Sequence, residues 1–121
     1  MVIGIGTDIA EVERVKKACE KESFRRRIYT TKELELIEAD LNKAVTNFAV
    51  KEAISKMLGT GFTNIRPIEI EVLRKSTGQP YVQLYGNAYQ KMKELEINDI
   101  QVTISDTKDY AVAYVIGQKT E

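Results

Sequence analysis

The sequence predicts an α+β domain in which early helices pack on a mostly antiparallel sheet. Three observations predict it. The chain has 121 residues, which is enough for one core, so residues 1–121 read as a single domain. Apolar residues between 43 and 58 recur at helical spacing. Apolar and polar residues alternate later, in 68–72 and 100–104. Helices that precede the strands, rather than alternating with them, give α+β.

Residues 2–9 read as a short buried strand, with Val2, Ile3, Ile5 and Ile9 separated by small glycines. A helix follows, with Ala10, Val12 and Val15 on one side and Arg14, Lys16 and Lys17 outward. Phe24 and Ile28 mark a second short helical piece. Thr30 or Thr31 caps a third, with Glu33 near its positive end; Leu34, Ile37 and Leu41 follow at helical spacing. In 43–58, Val50, Ala53, Ile54 and Met57 fall at i, i+3, i+4 and i+7 and form one buried face. Gly59 ends this helix as a left-handed cap. Ile68 to Val72 alternates as a half-buried strand, Lys75 to Pro80 turns the chain, and Tyr81 to Tyr85 returns. Asn87 caps a helix carrying Ala88, Met92 and Leu95. Ile100, Val102 and Ile104 alternate again, Asp106 to Asp109 turns, and Tyr110 to Ile116 closes as an apolar strand. Only Pro67 and Pro80 occur as prolines, and no linker marks a boundary.

Eighteen basic and eighteen acidic residues cancel. A nucleic-acid binder carries a basic excess, so none is expected as partner. The basic residues are nonetheless uneven: Arg14, Lys16, Lys17, Lys21 and Arg25 to Arg27 crowd one stretch. Such a run is either a solvated helical face or a docking surface for an acidic partner. Cys19 is alone, which suits a reducing compartment. No apolar run reaches the roughly 20 residues of a membrane span, and the start lacks the features of a signal peptide. A cytoplasmic protein without a membrane partner is expected. The chain has no histidine, which excludes His-based triads and His-ligated zinc. Any metal would be held by oxygen, favouring magnesium, manganese or calcium.

Asp8 ends an apolar strand. It is a helix N-cap or a metal ligand on local sequence. Glu52, Ser55, Lys56 and Gly59 lie on a stripe of the long helix, with Lys51 beside it. The stripe is an exposed face with a Glu52–Lys56 ion pair, or a carboxylate and an ammonium that hold a cation and a phosphate side by side. Gly59-Thr60-Gly61 is a helix stop or an anion-binding loop. Ser105-Asp106-Thr107 has the residue types of a hairpin turn.

Together these segments resemble the holo-acyl-carrier-protein synthase family. Gly4-Ile5-Gly6-Thr7-Asp8-Ile9, with Glu11 after it, resembles the first family signature. Phe24 to Thr30 with Glu33 resembles a second stretch. Phe48-Ala49-Val50-Lys51-Glu52-Ala53-Ile54-Ser55-Lys56, ending in Gly59-Thr60-Gly61, resembles the most specific signature. Gly78-Gln79-Pro80-Tyr81 and the hairpin from Thr103 to Ala111 resemble two further ones. The resemblance implies a 4'-phosphopantetheinyl transferase-like fold and transfer of 4'-phosphopantetheine from coenzyme A to a serine of apo-acyl carrier protein. It implies that Asp8 and Glu52 hold Mg²⁺ and that Lys56 contacts a phosphate or helps the leaving oxygen. The base is then a carboxylate or a water on the metal, with Glu52 or that water ranked above Asp106. Coenzyme A contacts are implied for Lys51, Ser55, Lys56, Gly59, Thr60 and Gly61 on the helix and its loop. Pro80, Ser105, Asp106 and Thr107 are implied from the hairpins. Arg14, Lys21 and Arg25 become the docking residues for the carrier, and a homotrimer with sites between subunits is implied. Two departures stand out. Asp106 replaces the usual histidine and Asn47 a common arginine, both near the coenzyme A phosphates in what the family implies. An acid near phosphate is unfavourable unless a metal or lysine offsets it. The rival readings are a magnesium-dependent phosphohydrolase and a non-catalytic carrier-binding module.

Overall fold

The computed structural model describes all 121 residues, Met1–Glu121. Its axis is the expected long helix, α4 (Asn42–Met57). Ala44, Val45, Ala49, Val50, Ala53 and Ile54 are buried on it, so it lies inside the fold rather than across its surface.

Against α4 packs a three-stranded antiparallel sheet of order β1-β5-β4, with β1 Val2–Glu11, β4 Asp99–Asp106 and β5 Tyr110–Gln118. Gly6 explains how closely β1 approaches: a Cβ there would run into the backbone of Ala53. Helices α1 (Val12–Ala18), α2 (Glu22–Ile28) and α3 (Thr31–Ala39) follow β1. As expected, Thr30 caps α3. Its hydroxyl accepts the Glu33 N–H, and the Glu33 carboxylate accepts the Thr30 N–H at 3.1 Å. A hairpin of β2 (Ile70–Arg74) and β3 (Pro80–Leu84) forms a second sheet, and α5 is Gly86–Glu94.

Four local expectations change. The strand expected to be buried at 2–9 is buried on one side only, with Val2, Ile5 and Ile9 each more than half exposed, because α4 covers just the face that carries Gly6 and Ala10. The strand expected from Ile68 begins at Ile70, because Pro67–Glu69 coils into a 3-10 turn closed by the Glu69 carboxylate on the Arg66 N–H. That strand is not half-buried. Glu71 is only 5% exposed and accepts hydrogen bonds from the Thr30 and Tyr85 hydroxyls at 2.6 and 2.9 Å. Asn87 does not cap α5; the Glu69 carboxylate takes its backbone N–H instead, at 3.1 Å.

Alternation gives the outer face of the first sheet a distinct character. Ala111, Ala113 and Val115 turn inward on β5 and are fully buried. Ile5, Ile9, Tyr110, Val112 and Tyr114 turn outward and stay exposed. Register places Ile9 opposite Val112 and Thr7 opposite Tyr114, so these apolar groups form one patch.

Candidate active site

Asp8 shares the inner side of β1 with Gly6 and Ala10, since residues two apart on a strand face the same way. It therefore looks toward α4. The helix N-cap alternative fails, because α1 starts at Val12 with Glu11 in the capping position. Lys56 reaches Asp8 from α4, its Nζ 3.0 Å from Asp8 Oδ1 and 3.0 Å from the Thr7 carbonyl. The expected Glu52–Lys56 pair is replaced by this longer-range one. Glu52 stands one turn earlier on α4. Burial pushes its carboxyl above the ordinary glutamate range, the Asp8 charge pushes the same way, and Lys56 opposes both. Two carboxylates that repel each other, with an ammonium alongside and no nitrogen or sulfur ligand, suit a hard divalent cation.

A cavity of about 430 Å³ opens over this pair. Arg14, Val15, Phe24 and Phe48 line it with Asp8 and Glu52. The Phe24 and Phe48 rings lie 6.3 Å apart and make an apolar wall. A wider depression of about 670 Å³ contains Glu11, Lys16, Lys17 and Lys108 but neither carboxylate of the pair.

Other predicted residues lie elsewhere. Lys51 is 1% exposed. Its ammonium donates to the Glu33 carboxylate at 2.7 Å, to the Pro67 carbonyl at 3.0 Å and to the Ile70 carbonyl. It is thus a core group, with its three donors used, and does not face a phosphate. Burial pushes Glu33 up and Lys51 down, each toward its neutral form, while their mutual attraction opposes this. Asn47 is also enclosed, its amide donating to Glu33 and to the Val72 carbonyl, both at 3.0 Å. The residue at 47 therefore points inward. Ser55 is buried and donates to the Glu52 carbonyl at 2.6 Å. The Thr60 and Gly61 N–H groups bind the Ser55 carbonyl, so they close the helix and are not free for an anion. Gly59 has the expected left-handed backbone, φ 78°.

Pro80 and Asp106 do come together, at a separate cavity of about 250 Å³ that also holds Lys43 and Arg74. Ser105 and Thr107 are exposed and do not line it; Ser105 pairs with Val112 and shares its outer face. Thr107 forms the expected turn, its hydroxyl accepting the Asp109 and Tyr110 N–H groups. Of the basic candidates, Arg14 lines the Asp8–Glu52 cavity, Lys21 is exposed, and Arg25 donates to the Cys19 carbonyl. The sequence reading missed Phe24 as cavity wall and Arg74 altogether. Neither carries a spacing signal, because each meets its partners only through tertiary packing.

The family described as the 4'-phosphopantetheinyl transferase superfamily matches residues 4–115. A holo-[acyl-carrier-protein] synthase from Lachnoclostridium phytofermentans is 54% identical over 118 residues, covering 98% of this chain and 97% of that protein. The Plasmodium yoelii acyl carrier protein synthase with ADP bound is 33% identical with TM-score 0.88, covering 100% of this chain and 98% of that one. The Bacillus anthracis holo-(acyl-carrier-protein) synthase in complex with CoA (3',5'-ADP) is 29% identical with TM-score 0.83, covering 99% of each chain.

Proposed function

The chain belongs to the 4'-phosphopantetheinyl transferase superfamily, and we propose that Asp8, Glu52 and Lys56 are the groups with which it works. It transfers 4'-phosphopantetheine from coenzyme A to a serine of apo-acyl carrier protein, a step that serves fatty acid biosynthesis. The serine oxygen forms a new bond to the phosphorus that carries the pantetheine arm. The bond from that phosphorus to the bridging oxygen breaks, and adenosine 3',5'-bisphosphate leaves.

Asp8 and Glu52 would hold the divalent cation, magnesium by the chemistry of their oxygens. When bound, it neutralises charge on the pyrophosphate. Glu52 has lone pairs beyond those a cation takes. A Glu52 oxygen that the cation leaves free would accept the serine proton. Lys56 is half exposed and held beside Asp8, placed to stabilise the leaving phosphate. The carrying observation is this juxtaposition: Asp8 from β1 and Glu52 from α4 line one cavity, and the Lys56 ammonium holds Asp8 from its side.

Arg14 sits in the wall of that cavity, with Lys21 and Arg25 beyond it on the same segment. An acidic carrier would meet this basic edge, its serine then reaching Glu52. The exposed apolar face of the β1-β5-β4 sheet supports a homotrimer with sites between subunits. No helix is long and apolar enough to cross a membrane, and we place the enzyme in the cytoplasm.

Intact-mass spectrometry tests the reading. Apo-acyl carrier protein incubated with this protein, coenzyme A and Mg²⁺ gains the mass of phosphopantetheine, and Asp8→Ala gives no gain. Absence of a gain with a folded preparation and several carriers removes the transferase reading and favours a binding module.

A further inference from the structure

We propose that Gly6 sets the ion size that the Asp8–Glu52 pair accepts, by letting β1 lie directly on the backbone of α4. The proposal rests on the transferase reading above and concerns a residue that touches neither cation nor substrate. Gly6 is a positioning residue.

The even-numbered residues of β1 turn toward α4. A Cβ on Gly4 would stand 2.5 Å from the Met57 carbonyl oxygen. One on Gly6 would stand 1.9 Å from the Ala53 carbonyl oxygen and 2.9 Å from the Met57 amide nitrogen. Two residues along the strand therefore step one turn back along the helix, from Met57 to Ala53. A strand advances about 6.6 Å in two residues and a helix about 5.4 Å in a turn, so the two elements run side by side in opposite senses. Asp8 is the next inward residue of β1, and Glu52 adjoins Ala53 on α4. Backbone contact at Gly6 thus fixes how far apart the two carboxylates are held.

Neither element can yield locally. Gly6 pairs with Val115 of β5 and Asp8 with Ala113, and both partners are fully buried. The Thr7 hydroxyl adds a hydrogen bond to the Ala113 carbonyl at 3.0 Å. On the helix, Ala49, Val50, Ala53 and Ile54 are fully buried as well, so α4 has no room to retreat. A methyl group at position 6 meets backbone rather than the mobile end of a side chain. It lifts β1 from α4 by about 1–1.5 Å, because non-bonded heavy atoms settle at about 3.5 Å, and Asp8 moves with the strand.

The difference between candidate ions is smaller than that displacement. Mg²⁺ demands near-octahedral oxygens at about 2.0–2.1 Å, whereas Ca²⁺ takes oxygens at about 2.3–2.6 Å in a flexible shell. A wider carboxylate pair loses Mg²⁺ and retains Ca²⁺.

Binding is read without turnover, by the electron paramagnetic resonance signal of free Mn²⁺ and its displacement by Mg²⁺ or Ca²⁺. Wild type is compared with Gly6→Ala and Gly117→Ala. Gly117 is the packing control, on β5 opposite Gly4. Its Cβ would meet only the side-chain ends of Met57, at 2.8 Å, and Ile97, at 2.9 Å. Gly6→Ala is expected to weaken Mg²⁺ about tenfold and Ca²⁺ less than about threefold, while Gly117→Ala leaves the ratio of the two affinities unchanged. An unchanged ratio in Gly6→Ala, from no loss or from equal losses, overturns the assignment. So does a Gly117→Ala ratio that shifts as far, since loosened packing alone would then suffice. Should Gly6→Ala not fold, Gly4→Ala, with its smaller overlap, carries the same comparison. A fall of about threefold in the Mg²⁺ to Ca²⁺ ratio is then expected, and an unchanged ratio counts against. Mn²⁺ binding that is absent from wild type, or that survives Asp8→Ala unaltered, instead defeats Asp8 and Glu52 as metal ligands, and the assignment with them.

Discussion

Glu52 is the residue whose protonation state the mechanism depends on. A protonated Glu52 neither holds the cation nor accepts the serine proton. The rate therefore rises with pH and levels off once Glu52 ionises. Without the cation, burial and the Asp8 charge both raise the Glu52 pKa. We therefore expect Mg²⁺ to bind with release of a proton and its affinity to fall as pH drops, as read by calorimetry in buffers of different ionisation heat. Glu52→Gln removes the rise of rate with pH along with about 10²- to 10⁴-fold of the rate. The same shift has a stability consequence. Folded Glu52 holds its proton more tightly than the unfolded chain does, so its contribution is present at low pH and lost as pH rises through the folded pKa. At neutral pH the ionised group is strained, and Glu52→Gln raises Tm by about 2–4 °C. Mg²⁺ binding without proton release, or a lower Tm for the variant, contradicts this account. The sequence offered Asp8, Glu52 and Lys56 as candidates because of their residue types and their place in recognisable signatures. It paired Lys56 with Glu52, since spacing on one helix sees only neighbours a turn apart. The actual partner, Asp8, lies 48 residues away and is reached only when β1 docks on α4.

At the scale of elements, helices whose buried face repeats at 3.6 residues were readable, and α4 lies within a residue of its expected bounds. Strand alternation was readable where one sheet face meets solvent, as in β4. It misled in β2, whose Glu71 sits under Thr30 and Tyr85. A polar residue at an alternate position looks solvent-exposed until the covering layer is known. Lys51 misled in the same way. Its sequence neighbour Glu52 faces the cavity, whereas Lys51, about 100° around the helix, ties α4 to α3 and to the carbonyls of Pro67 and Ile70. This makes a prediction of opposite sign for one and two changes. Lys51→Met leaves Glu33 buried and unpaired, and destabilises by about 3–5 kcal/mol. Lys51→Met with Glu33→Leu removes both charges and recovers most of that loss. Urea unfolding of the three proteins measures it. A double variant no more stable than the single one shows that the pair, and not the orphaned charge, holds the elements together.

At the scale of the whole molecule, β5 separates two apolar surfaces, and α4 covers only one of them. On the other, Ile9 and Val112 are 61% and 39% exposed and face each other in register, flanked by Ile5, Tyr110 and Tyr114. A three-stranded sheet that is apolar on both sides has a covered partner state, and a contiguous patch of this kind marks an interface. A closed ring of three copies covers the patch on every subunit without leaving an open end. In the proposed trimer the hairpins that carry Pro80 and Asp106 would reach the Asp8–Glu52 pair of a neighbour. Light scattering at micromolar concentration is therefore expected to give three times the subunit mass. Val112→Asp places a charge at the middle of the patch, opposite Ile9 on one side and Ser105 on the other. Its side chain points away from α4, so the fold itself is spared. The variant is expected to run as a monomer with a Tm for the isolated domain, and its transfer rate falls at least tenfold, because each site loses the neighbour's hairpin. A wild-type monomer removes the shared-site arrangement outright. A trimeric Val112→Asp would move the interface to another face of the molecule, and a monomeric variant with full activity would show that one chain carries a complete site.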